Sequence, residues 1–197
     1  MVVKMNAYDF DNTIYDGESI YDFFIFCLKK DIWLIKFFPL VLFRLIEYKL
    51  NLLKIEKIYQ TCEVIINSFL KHSKFNYDEL IEEFWKVNHK KLKKEFLDML
   101  KEDDLIITGC PNFLIDYIKE ELKVKNIICT DFDLRNKKVN FICFGKNKVI
   151  AFKKKYKNKI NKFYTDSLAD VPFMQLANEV YFVNKNSIKK IDKSKYI

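Results

Sequence analysis

The strongest constraint on this chain is an abrupt change of texture after its first ten residues. Residues 2–10 read as a short apolar strand that ends in a polar cluster running from Asp9 to Asp16. About 85 residues of helical pattern follow before the next strand signal. A lone strand is not stable in water, so the first one must pair with strands beyond the helical block. The block, residues 15–88, is therefore expected to be an insert beside the end of the first strand, with 1–14 and 89–197 forming the core.

Past residue 104 strands and helices alternate. Strands are expected at 105–108, 127–130, 162–165 and 180–183, and 138–144 reads as part of a hairpin turning near 135–137. A helix is expected over 112–122, a lysine-rich one before 162, and another opened by Asp170 and Pro172. This alternation implies an α/β fold, a parallel sheet with helices on both faces. Inside the block, Ser19 is placed to cap a helix reaching Lys30. Ile55, Ile58, Tyr59, Cys62, Ile65, Ile66 and Phe69 recur on one helical face. Asn76 and Glu79 have the spacing of a capping box opening a long helix through Leu80, Ile81, Phe84, Trp85, Leu92, Phe96 and Leu100.

Composition narrows the classes. With three Gly and three Pro in 197 residues, the chain is neither a linker nor a loop-rich scaffold. A net charge of +8 suits anionic partners: phosphorylated metabolites, nucleic acid or a membrane surface. Of the 35 basic residues only Arg44 and Arg135 are arginine, and base reading relies on arginine's planar fork, so nucleic acid is not expected. The apolar stretch 32–48 is interrupted by Lys36, Pro39 and Arg44 and falls short of the ~20 residues that span a bilayer, so no transmembrane segment is expected. The N-terminus lacks the apolar core of a signal peptide. Five cysteines without CxxC spacing give neither a disulfide framework nor a zinc signature, and a reducing cytoplasm is the expected compartment.

In an open α/β sheet, ligands bind at the carboxyl ends of the strands. The first strand delivers Asp9 and Asp11 there, the second Thr108 and Gly109, and the strand at 162–165 delivers Asp166, Ser167 and then Asp170. Lys146, Lys148 and Lys153 compete to bring an ammonium from the lysine-rich helix. Carboxylates, a hydroxyl and an ammonium at successive strand ends suit Mg²⁺, which prefers hard oxygen ligands, and a phosphoryl group. A second DxD, Asp131 and Asp133, lacks the following Thr and runs into the hairpin, so it is read as a decoy. His72 and His89 are read as surface or insert residues and Cys110 as packing.

DFDNT at 9–13, TGCP at 108–111, Lys148 in GKNKV and DSLAD at 166–170 resemble, in order, the four motifs of the haloacid dehalogenase superfamily of phosphatases. The resemblance spans essentially the whole chain and implies a Rossmann-like core, with residues 15–88 as a helical cap like that of the phosphoserine phosphatase branch. It implies that Asp9 is the nucleophile and Asp11 the general acid/base. Thr108, Gly109 and Lys148 would hold phosphate, and Mg²⁺ would lie on Asp9, the Asp11 carbonyl and Asp166, with Asp170 supporting that shell. Glu18 lies where that branch's cap contacts a substrate amine, and Arg44, the insert's single arginine, would face a substrate carboxylate. The chain departs from the branch at TGCPNF, where SGGF would stand, and at Asn12, where Gly or Ser is common. The expected activity is Mg²⁺-dependent hydrolysis of a small phosphorylated metabolite through an aspartyl-phosphate. Phosphoryl transfer to another acceptor and a catalytically silent binding protein are the alternatives.

Overall fold

The structure, a computed structural model, describes residues 5–37, 39, 40, 43, 47, 71, 72, 74–136, 138–157 and 159–196. Seven strands form one sheet in the order β4-β3-β2-β1-β5-β6-β7. They are β1 (Ala7–Tyr8), β2 (Leu105–Pro111), β3 (Asn126–Asp133), β4 (Lys138–Phe141), β5 (Ile160–Thr165), β6 (Ala177–Asn184) and β7 (Ser187–Ile191). The inner five, β3 to β6, run parallel, and β4 and β7 close the edges antiparallel. The fold is the expected α/β sheet with helices on both faces.

Strand alternation divides the interior. Ala7, Leu105, Ile107 and Phe163 enter one core, with Phe152 and Phe173 of the later helices. Tyr8, Ile106 and Tyr164 face the other way, into a core shared with Phe23, Phe84 and Trp85 of the inserted block. On that face Tyr8, Tyr164 and Tyr181 stack across β1, β5 and β6, with ring centroids 4.8 and 4.9 Å apart.

The first strand is much shorter than expected. Asp9 N still bonds Tyr164 O at 2.8 Å, but Phe10 N then turns onto the Asp9 carboxylate and Phe10 O accepts from the amides of Thr13, Ile14 and Tyr15. This tight loop takes the chain out of the sheet directly behind Asp9.

Within the block, α1 (Ser19–Lys30) ends as expected, but Glu18 occupies its N-cap and the Ser19 side chain bonds Cys110 Sγ instead. Helix α2 (Tyr77–Asn88) starts after Asn76, whose side chain makes no capping bond, so the expected box does not form. The long helix expected through Leu100 breaks into α2, a 3₁₀ turn (His89–Lys91) and α3 (Lys94–Met99). The reason is tertiary: Asp16 N bonds Lys91 O, Lys93 N bonds Ile14 O, both at 2.8 Å, and Leu92 bridges Tyr15. These partners hold Leu92 and Lys93 extended against 14–16. The helix expected over 55–69 lies outside the described residues.

Helices α4 (Asn112–Tyr117) and α5 (Lys119–Leu122) divide the segment expected as one helix; α6 (Lys146–Lys155) and α7 (Val171–Met174) follow. Trp85 Nε1 donates to Leu114 O at 3.0 Å, tying α2 to α4. Strand β7 was not foreseen: Ser187–Ile191 is a lysine-bearing stretch whose first four residues are exposed, with no apolar alternation to reveal it.

Candidate active site

The carboxyl ends of β1, β2 and β5 and the start of α6 meet at one place. Lys148, in the first turn of α6, is the buried cation there, at 2% exposure. Its Nζ lies 3.1 Å from Asp9 Oδ1 and 2.8 Å from each carboxylate oxygen of Asp170. Thr165, the last residue of β5, donates its hydroxyl to Asp170 Oδ2 at 2.8 Å. Asp170 is thus fully enclosed by the protein. Lys146 and Lys153, the competing lysines, are exposed. Gly145 makes the arrangement possible: its φ of +52° turns the chain sharply into α6, a conformation that favours glycine.

Burial raises the Asp9 carboxyl well above its ordinary range; Lys148 opposes this, while Asp170, Asp166 and Asp11 add to it. Burial would lower the Lys148 ammonium, but Asp170 and Asp9 reverse the effect and hold it charged. Asp11 Oδ1 accepts from Ser19 N at 2.8 Å, which limits the rise that burial imposes on it to about 6. Burial also raises Asp166. A carboxyl poised near neutrality, next to a buried carboxylate, is equipped to give and take a proton.

The β2–β3 ladder shifts register between Ile107 and Pro111, so Thr108 and Gly109 lie in an irregular stretch toward the carboxyl end of β2. Thr108 is buried, and its Oγ1 accepts from Cys110 N at 3.0 Å. A Cβ on Gly109 would come only within 3.7 Å of Cys143 O, so contact inside the protein does not demand glycine there. Glu18 stands at the exposed rim, its Oε1 accepting from Asn12 Nδ2 at 2.8 Å. Loss of hydration in the recess, with Asp11 and Asp166 nearby, raises its carboxyl to about 7. Arg44 lies outside the described residues.

The remaining candidates fall elsewhere. Asp131 accepts from Asn112 and Asn140, both at 3.2 Å, and Asp133 from Asn136. They belong to the β3–β4 hairpin, as expected of a decoy. His89 is exposed and pairs with Glu121. Burial pushes the Cys110 thiol far up, which keeps it protonated. Sequence reasoning missed Asn12, Ser19 and Thr165 as partners of the site carboxylates. The only visible signal was at Asn12, an amide standing where Gly or Ser is common.

None of the curated protein sequences compared with this chain matches it. Among solved structures, a protein of unknown function from Bordetella pertussis Tohama I is similar, with TM-score 0.71 and 18% identity over 90% of this chain and 88% of that one. A phosphoserine phosphohydrolase-like protein from Francisella tularensis subsp. tularensis SCHU S4 gives 0.60 and 20% over 90% and 86%. A phosphoserine phosphatase captured as a phospho-aspartyl intermediate analogue gives 0.51 and 16% over 90% and 84%. At these identities the likeness is one of fold. The sequence pattern of the haloacid dehalogenase-like hydrolases matches residues 7–175, more than four-fifths of the length, and this chain belongs to that family.

Proposed function

We propose that this protein is a Mg²⁺-dependent phosphomonoester hydrolase acting through an aspartyl-phosphate on a small phosphorylated metabolite. The observation that carries the reading is the placement of Asp9 at the end of β1, with one oxygen 3.1 Å from a buried ammonium and Asp11, Asp166 and Asp170 close by. Membership in a hydrolase family supports it, as does the shared fold with a phosphatase known as a phospho-aspartyl analogue.

The donor set fits a divalent cation. Asp9 and Asp170 contact one ammonium with Asp166 and Asp11 nearby, burial and then the neighbouring carboxylates raise the Asp9 carboxyl, and every candidate donor is a hard oxygen. Among the described residues no three His, Cys, Asp or Glu side chains converge as a ready-made cluster, so phosphate and water would complete the shell. Asp9, the Asp11 carbonyl and Asp166 would hold Mg²⁺, with Asp170 acting in support through Lys148 and Thr165. When bound, the ion screens the repulsion between the attacking carboxylate and the phosphoryl oxygens.

The chain's own groups do the rest. Asp9 attacks phosphorus, forming the acyl-phosphate bond as the ester P–O bond breaks. Asp11 gives its proton to the leaving oxygen, then takes one from the water that cleaves the acyl-phosphate. Lys148, Thr108 and the amide of Gly109 stabilise the equatorial oxygens. Residues 15–88 serve as a cap that excludes water and selects the leaving group. Glu18 faces a substrate amine and Arg44 a substrate carboxylate.

The test is phosphate release from an aryl phosphomonoester. Excess chelator should abolish it, and Asp9→Asn should reduce it by at least ~10³-fold and eliminate trapped acyl-phosphate. Wild-type turnover by Asp9→Asn would place the nucleophile elsewhere.

A further inference from the structure

Between Asp133 and Asp166 the chain carries eleven basic residues and no acidic one. Eleven exceeds the net charge of +8, so the rest of the chain is net negative and the whole positive excess lies in this stretch. Segregated charge builds a local field that an evenly spread lysine bias would not. Lys148, at the start of α6, serves the site described above. Five of the eleven instead fall between Lys153 and Lys159, at the other end of the sheet, where α6 finishes and β5 begins. Three of these, Lys153, Lys157 and Lys159, line a recess of about 370 Å³ whose other walls are Phe152, Tyr156 and Leu176. That volume lies within the range of small-molecule sites.

A lysine in the last turn of a helix offsets the macrodipole, which accounts for Lys153. It does not account for Lys157 and Lys159, which lie past the Tyr156 C-cap and before Ile160 opens β5. The aromatic wall is held in place by the protein: the Tyr156 hydroxyl donates to Asn126 Oδ1 at 2.9 Å, and its ring stacks on Phe152 with centroids 5.4 Å apart. The three ammonium groups are exposed, no Asp or Glu lines the recess, and among the described residues none of the three lysines forms an ion pair. Their mutual repulsion is left for an anion to offset. We infer that this recess binds a small anion carrying an aromatic ring, the chemistry of a mononucleotide, with the ring against Phe152, Tyr156 and Leu176 and the phosphate on Lys153, Lys157 and Lys159. A recess of this size admits one ring and its phosphate, which favours a small ligand over a polymer. It is separated from the catalytic recess by the length of β5, Ile160 to Thr165, or roughly 17 Å. The inference goes beyond the function proposed above and does not depend on turnover.

The test is an amide NMR titration of the full chain with AMP, and with adenosine and inorganic phosphate as separate arms. AMP should shift the amides of Lys153, Tyr156, Lys157 and Leu176 saturably, with a Kd of ~1 mM or below. Adenosine and phosphate each supply only part of the contact and should bind at least about tenfold more weakly. The amides of Asp9, Asp11 and Gly109 report occupancy of the catalytic recess separately. Replacing Lys153, Lys157 and Lys159 together by Gln should weaken AMP at these amides by about tenfold, the size expected of three partly exposed ion pairs, with an unchanged thermal midpoint. The same replacement at Lys90, Lys119 and Lys123, exposed elsewhere, should weaken it by less than about twofold. AMP shifts confined to the catalytic end, phosphate binding as tightly as AMP, or equal weakening by the two triple variants would overturn the inference. So would a single-stranded oligodeoxyadenylate that binds through these lysines about a hundredfold more tightly than AMP, since the face would then belong to nucleic acid. Absence of phosphomonoester turnover would overturn the function proposed above, and the titration would still decide this site.

Discussion

The floor and the rim of the site use charge in opposite ways. On the floor, Asp9, Lys148 and Asp170 are each less than a tenth exposed and lock together at 2.8–3.1 Å. At the rim, Lys91 and Asp22 pair at 2.7 Å with about a third of each side chain exposed, and Glu18 faces solvent. A buried charge stripped of its partner has nowhere to relax, whereas an exposed one recovers water. The floor is therefore intolerant of change, and the rim tolerates substitution.

The largest effect that would sharpen this contrast comes from Lys148→Met, which preserves length and removes the charge. It leaves Asp9 and Asp170 facing each other without a cation and should destabilise the chain by ~3–5 kcal/mol, measured by urea unfolding. A loss below ~1 kcal/mol would mean that the floor behaves like the rim.

Next in size is the response to pH. Asp11 titrates at about 6 and Glu18 at about 7 in the folded chain, both raised from their ordinary values. The fold therefore holds more protons than the unfolded chain between their ordinary and raised values. Stability contributed by these groups is complete below pH ~4 and is lost as pH rises through 6 and 7. In cation-free buffer, unfolding free energy should fall by roughly 1–3 kcal/mol from pH 4.5 to 7.5, Glu18 contributing less because water screens it. Added Mg²⁺ should flatten the slope, and a stability that rises over this window would contradict the assignment. The smallest effect is expected from Lys91→Met, at most ~1 kcal/mol by the same unfolding measurement and with no change in kcat.

The same divide governs what could be read from the sequence. The strands at 105–108, 127–130, 162–165 and 180–183 announce themselves because their residues are buried or half-buried on both faces, which leaves short, largely apolar runs. The site aspartates are legible because the strands place them at one end of the sheet. The choice of Lys148 over Lys146 and Lys153 was not legible from residue type alone; burial in α6 distinguishes it. The break at 91–93 was hidden too, because Leu92 and Phe96 continue the helical spacing while the competing partners, Ile14 and Tyr15, lie far away in sequence. Asn12 showed an unusual letter, and only its positive φ and its contact with Glu18 give that letter a physical role.

Strand β7 carries Lys189 and Lys190 in an exposed stretch and, among the described residues, pairs only with β6. An open strand edge is a template on which another copy of the chain could add its own edge. The exposed Lys189 ammonium makes that encounter repulsive, whereas Lys190 is paired with Glu179 at 2.7 Å. The repulsion reaches only about one Debye length, roughly 10 Å at 0.1 M salt and 3 Å at 1 M. Concentrated salt thus removes the guard from this edge while leaving the dry ion cluster beside Asp9 almost untouched.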